Sequence, residues 1–201
     1  MVREGNLAGE IISGDPVTLL DNLIKQSMFF HGTVDITMSR GESFNYLNIG
    51  RYMERAFQSI NILDTKLREI NYDLNQPVEA PALRYLLYSL SGYELYLKTY
   101  RGNLQADNVL QQILYNLSFP HSVLYCLQQL NRYFERLKPV SMEESYNRLE
   151  FLICKAMNNL KYSSRISASS NSLKELLVQT KRELAEIALA FNQYYFGSNY
   201  Q

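Results

Sequence analysis

The chain has no tryptophan, only five prolines, two cysteines and two histidines among 201 residues, and each shortage excludes something. Cys126 and Cys154 stand singly inside helical patterns and form no C-x-x-C pair, so no disulfide framework is available. They read as small apolar core residues in a reducing compartment. His31 and His121 lie far apart, and no H-x-x-E, E-x-x-H or Cys/His pairing surrounds them. A metal centre needs such convergent ligands, so neither a metal nor a cofactor is expected. Phosphate-cradling loops are missing too, because Gly32, Gly41 and Gly50 are isolated.

Excess charge of either sign is also lacking. Lys plus Arg and Asp plus Glu both number 20, which leaves no basic face to neutralise a nucleic-acid backbone. The same balance weakens self-repulsion and favours association with a protein partner or a second copy. No apolar run has bilayer-spanning length, and no hydrophobic signal core follows Met1. A cytoplasmic location without membrane contact is the expectation.

What is present is helical periodicity. Asp15-Pro16 reads as an N-cap and first helical residue, followed by Val17, Leu20, Leu23, Ile24, Met28 and Phe29 at helical spacing, running on to about Thr37. Ser39 and Glu42 have capping-box spacing, and no proline intervenes from there to Asn71. Ile49, Tyr52, Met53, Ala56, Ile60, Leu63, Leu67 and Ile70 share one broad face of that helix. Phe44, Leu47 and Ile62 lie on the other side with Arg51, Glu54 and Arg55, so packing on two sides is expected.

After a loop at 75–81, a single helix is expected over 82–100, with Leu83, Leu86, Leu87, Leu90, Tyr93, Leu97 and Tyr100, ending near Gly102. Asp107 reads as the cap of a short helix burying Val109, Leu110, Ile113, Leu114 and Leu117. Phe119-Pro120 breaks that helix and starts another, through Val123, Leu127, Leu130, Phe134 and Leu137, which Pro139 stops. Ser141 with Glu144 opens the next, a polar linker covers 163–171, and Ser172 with Glu175 opens the last, which Gly197 ends. The expectation is all-α: one bundle of about seven helices, several long, without a β-sheet. It fills residues 15–197, with tails at 1–14 and 198–201.

Chemistry-bearing constellations are few, and an enzyme is less expected than a non-enzymatic role. In His121-Ser122, at a helix start, adjacent side chains seldom form a working pair, so Ser122 is better read as a capping hydroxyl. The densest polar cluster is Gly50-Arg51-Tyr52-Met53-Glu54-Arg55. It admits three readings: a solvated Arg51/Glu54 pair, a half-buried pair, or an anion site made of two guanidinium groups. Tyr85, Tyr88, Tyr93, Tyr96 and Tyr100 crowd one stretch, and part of this set reads as a protein-facing surface.

These residues resemble a known family. Phe30-His31-Gly32 through Thr37-Met38-Ser39-Arg40, followed by Gly50-Arg51-Tyr52-Met53-Glu54-Arg55-Ala56, resembles the bacterial alpha-E signature G-R-x-x-E-R-A with its preceding M-T-R, Ser39 replacing Thr. Tyr96 through Gly102 resembles the family's Y-R-x-R-Y region, with Lys98 in place of arginine. Phe119-Pro120-His121-Ser122 resembles its N-P-R-S, with His121 in place of arginine. The similarity covers most of 28–196 and looks like only the C-terminal half of the longer typical members, which makes a homodimer the expectation. Family genes commonly neighbour ATP-grasp-type ligases and transglutaminase-like peptidases. The resemblance therefore implies an accessory or scaffold protein in a peptide synthesis or modification system, docking such an enzyme. The alternative is an enzyme or ligand-binding subunit using Arg40, Arg51, Glu54, Arg55, Arg101, His121 and Ser122 on an anionic or peptide substrate.

Overall fold

The computed structural model describes residues 15–75, 80–137, 143–163 and 170–197. The expected tails at 1–14 and 198–201, the stop at Pro139, the cap at Ser141 and most of the loop at 75–81 and linker at 163–171 lie outside them. Among the described residues there are eight α-helices and no strand: α1 Pro16–Thr37, α2 Glu42–Glu69, α3 Ala80–Ser89, α4 Tyr93–Tyr100, α5 Ala106–Tyr115, α6 Val123–Phe134, α7 Glu143–Ser163 and α8 Ser170–Phe191. A 3-10 turn, Glu135–Leu137, extends α6, and a π turn, Asn192–Phe196, follows α8. The all-α reading is correct. The chain divides into two compact units, Met1–Phe44 and Asn45–Gln201.

In the first unit, the Asp15 side chain accepts the Val17 N–H at 3.1 Å and the Thr18 hydroxyl at 2.5 Å, and so caps α1. Helix α1 contains no buried residue. Leu20, Ile24, Met28, Phe29 and Phe30 are each more than half exposed. Arg40 closes the connector after α1, donating to the Asp35 carbonyl at 2.5 Å with its guanidinium 4.1 Å from the Phe44 ring centre. Helix α2 begins at Glu42 itself, so Gly41 holds the cap position and the expected cap, Ser39, stands two residues too early.

The second unit has one core. Ile49, Met53, Ala56, Ile60, Leu63 and Leu67 form the buried stripe of α2, as their spacing requires. Helix α7 packs against both α6 and α8, while α3, α4 and α5 contact one another. Phe134 stacks on Tyr146 with ring centres 4.6 Å apart and meets Phe191 edge-on at 5.8 Å, joining α6, α7 and α8.

Four further expectations need correction. Residues 82–100 form two helices, α3 and α4. The Leu87 carbonyl accepts the Gly92 N–H at 2.7 Å and the Tyr88 carbonyl accepts that of Ser91, which sits at φ 54°. This is the paired helix-ending bond pattern, with a left-handed residue inside it. The chain then turns where Gly92 meets Phe119: a Cβ there would lie 2.7 Å from the ring. The same device ends α2, with Asn71 at φ 50°. Second, α5 begins at Ala106 after Gln105, so Asp107 is no cap but a first-turn acid facing the positive end of the helix dipole. Third, Leu117 lies beyond α5 and is 48% exposed. Fourth, α8 begins at Ser170, which places Ser172 within its first turn.

One polar knot ties α2 to α8. The Asp64 side chain is buried and accepts the Tyr72 hydroxyl at 2.8 Å, Lys181 Nζ at 2.7 Å and Arg68 at 2.7 Å. Burial works to raise its pKa, but the Lys181 and Tyr72 hydrogen bonds and the two cations outweigh this and hold it below the usual carboxylate range.

Two outcomes are expected. Gly92→Ala will destabilise the fold by about 1–3 kcal/mol through overpacking against Phe119, seen in denaturant titration. Because the folded-state pKa of Asp64 is lowered, its contribution is complete above the unfolded carboxylate value and is lost as pH falls through the folded one. Asp64→Asn will therefore flatten the acid limb of a melting-temperature-versus-pH profile below about pH 4, while lowering stability at pH 7 by about 3 kcal/mol.

Candidate functional site

The sequence cluster lies where the first half of α2 meets the start of α6. Arg51 and Arg55 share one side of α2, four residues apart, and both are half-buried. The expected Arg51–Glu54 pair does not form. Glu54 is exposed and accepts from Gln58 Nε2 at 3.0 Å, whereas Arg51 donates to Asn48 Oδ1 at 3.3 Å. Each side chain takes a neutral amide one helical turn away, on opposite sides of the pair. Among the described residues, the buried Nε of Arg51 has no hydrogen-bond partner. Among the described residues, no ion pair joins Arg51 or Arg55 to a carboxylate.

Arg55 reaches across to α6's entry. Its Nη1 donates to the Pro120 carbonyl at 3.3 Å, an oxygen that also receives the Cys126 thiol at 3.6 Å. Ser122 is fully buried and caps α6, its hydroxyl oxygen accepting the Tyr125 N–H at 3.1 Å. This is the capping role its position suggested. Burial lowers the pKa of His121, and the neighbouring Arg55 charge lowers it further, which favours the neutral imidazole. Burial pushes the Cys126 thiol up to about 12, so it is no thiolate nucleophile at neutral pH. A hydroxyl occupied in capping and a protonated buried thiol do not make a nucleophilic centre.

Tyr52 lies between these elements. Its ring stacks on Tyr133 at 5.9 Å with 19° between planes and meets Tyr125 edge-on at 6.1 Å, while the Arg55 guanidinium lies 5.4 Å from its centre. Burial and the two neighbouring phenols push its hydroxyl up to about 12, against the opposing pull of Arg55 and Arg51. It therefore remains a neutral hydrogen-bond donor throughout the physiological range.

The stacked tyrosines expose a relation between two segments of the sequence. Arg51-Tyr52-Met53-Glu54-Arg55 recurs as Arg132-Tyr133-Phe134-Glu135-Arg136, the same R-Y-x-E-R order with an apolar residue in the middle. In both copies that middle residue, Met53 or Phe134, enters the core, and in both the last arginine lies near its own tyrosine, 5.4 Å for Arg55 and 5.1 Å for Arg136. The copies differ in depth, since Arg132 and Arg136 are exposed. Comparing five-residue windows across the sequence would have revealed the repeat.

Of the other candidates, Arg101 occupies the left-handed C-cap position of α4 at φ 48°, its N–H bonded to the Leu97 carbonyl. The loop beyond it is held by the buried Tyr96, whose hydroxyl donates to the Asn103 carbonyl at 3.3 Å and accepts the Gln105 N–H at 3.1 Å. Among the described residues, the bonds of Arg51 and Arg55 go to Asn48 and Pro120, away from the Arg101 cap. Arg40 belongs to the first unit. Tyr85 and Tyr88 are exposed, Tyr93 and Tyr100 are partly buried, and Tyr96 is fully buried, so the tyrosine set divides between surface and core.

Helices without a strand among the described residues, and an E-R pair on a long helix, define the class: an all-α protein that carries a Glu-Arg motif. The chain belongs to the Alpha-E family, described as a predicted alpha-helical domain with a conserved ER motif, whose model matches residues 3–196. The match covers nearly the whole chain and reaches further toward the N-terminus than the resemblance at 28–196. No curated protein and no solved structure matches the chain. Among the described residues, no helix is long and apolar enough to cross a membrane.

Ser122→Ala removes the α6 cap inside the core and is expected to cost about 1–2 kcal/mol. Chemical denaturation of the variant measures this. A change below a few tenths would show that the hydroxyl is not an effective cap.

Proposed function

We propose that this chain is a helical accessory protein that docks a second protein through α1, and that the docked protein is an ATP-grasp-type amide ligase of a peptide synthesis or modification system. The observation that carries docking is the exposure of α1. Eight large apolar side chains there, from Val17 to Ile36, are between 40% and 86% exposed. Burying a side chain of that size yields roughly 1.5–3 kcal/mol, so on the order of 10 kcal/mol of burial is unrealised along this helix. Contiguous apolar exposure of this kind marks an interaction surface.

The chemistry of α1 favours a protein over a lipid surface. A membrane-lying helix carries lysine and arginine opposite its apolar face, whereas α1 has one lysine, Lys25, paired with Asp21, and a further acid at Asp35. The partner class rests on the gene neighbourhood that the family resemblance implies, with a transglutaminase-like protein as the other neighbour. The absence of an activated nucleophile around Ser122 and Cys126 supports an accessory role over a catalytic one.

Co-expression with an ATP-grasp-type ligase followed by size-exclusion chromatography with light scattering tests this reading. One complex is expected, and Ile24→Asp with Phe29→Asp is expected to dissolve it while leaving the circular dichroism spectrum unchanged, since both positions are already exposed. A doubled mass for the chain alone would place a second copy on α1. Separate elution of both proteins, with the chain at the mass of one copy, would overturn docking.

A further inference from the structure

Half-buried arginines are ordinarily compensated by carboxylates, because a charge drawn away from water needs a partner. Arg51 and Arg55 depart from that pattern together. They are like charges one helical turn apart, an arrangement that is itself unfavourable. The acid beside them, Glu54, is turned to Gln58. Among the described residues, the bonds that the pair makes are to neutral oxygens, Asn48 Oδ1 and the Pro120 carbonyl, both long at 3.3 Å. Asp64 shows the compensated case, holding two cations and a phenol, whereas the buried Glu183 carboxylate accepts from the neutral amides of Asn159 and Gln179. The positive charge of Arg51 and Arg55 next to Tyr52 stands in a chain whose formal net charge is zero.

Gly50 gives a second, independent indication. It sits in the interior of α2, where glycine costs about 0.5–1 kcal/mol relative to alanine. Nothing lies within 4 Å of the position its Cβ would take, so packing does not require a glycine. A bare backbone in mid-helix, immediately before Arg51, leaves room for another molecule to approach closely.

We propose that Arg51 and Arg55 form an oxyanion-binding site that takes a carboxylate or phosphate group, with Tyr52, Tyr125 and Tyr133 as its aromatic wall and Gly50 as its open edge. The planar forked donors of guanidinium match both groups, and the wall excludes water from one side. Tyr52 adds a hydroxyl that remains protonated. The second R-Y-x-E-R copy supplies Tyr133 to the wall, while its own arginines are solvated and need no counter-ion. This site is independent of the docking role of α1.

Isothermal titration calorimetry of the full chain at low salt tests it, using inorganic phosphate and a short N-acetylated peptide as free acid and as amide. Binding of phosphate or of the free acid, without binding of the amide, is expected, and whichever binds identifies the source of the oxyanion. Arg51→Lys and Arg55→Lys retain the charge but lose the fork, and each is expected to weaken binding about tenfold. Gly50→Ala is expected to raise the melting temperature and still weaken binding, a combination that a purely structural role cannot produce. Arg148→Ala, which removes an exposed arginine lying near the Phe151 ring, is the control and should change nothing. The proposal fails if neither oxyanion binds the folded chain, or if Arg51→Leu/Arg55→Leu binds as well as the parent.

Discussion

Helix α2 is the element on which the larger unit depends, because one uninterrupted helix supplies three different surfaces to it. Its stripe from Ile49 to Leu67 is core, its flank at Asp64 holds the buried knot with Tyr72 and Lys181, and its other flank at Arg51, Tyr52 and Arg55 meets α6. The rigid pitch of the helix couples these surfaces. Displacing the stripe by one residue would rotate all three by about 100° and separate each from its partner at once.

The two ionic regions along α2 illustrate opposite uses of charge. Around Asp64, cations, a phenol and a carboxylate satisfy one another, and the result fixes the position of α8 relative to α2. Around Arg51 and Arg55 the compensating acid is turned away, aromatic rings take its place, and the cationic charge remains. Cation–π contact offsets part of the cost of desolvation but does not neutralise a guanidinium. A structural knot has no outstanding requirement, whereas the second region is electrostatically incomplete.

Much of the architecture was legible in local patterns. The α1 cap at Asp15, the length of α2, the cap at Ser122 and the core positions of α2 and α6 all follow from spacing and capping chemistry, which act over a few residues. The misreadings share a cause. Residues 82–100 show unbroken apolar periodicity, yet the chain divides at Ser91-Gly92 because Phe119, distant in sequence, occupies the space against Gly92. Asp107 and Ser172 have the chemistry of caps but lie one or two residues inside their helices. At the candidate site, the residues were legible and their partners were not. Arg51 and Glu54 have the spacing of a pair, but spacing does not decide between a carboxylate and the neutral amides of Asn48 and Gln58.

The sequence by itself determined that this protein is helical, where most helices run, and that a Glu-Arg cluster lies on the longest of them, since helix formation is governed by side chains three and four positions apart. Only the tertiary structure decided that no residue of α1 is buried. It alone brought Tyr52 against Tyr133, and with them the two R-Y-x-E-R segments, and left Arg51 and Arg55 without a carboxylate among the described residues. Those outcomes depend on which distant segments come into contact, and the periodicity of a single helix carries no information about the surface that will face it.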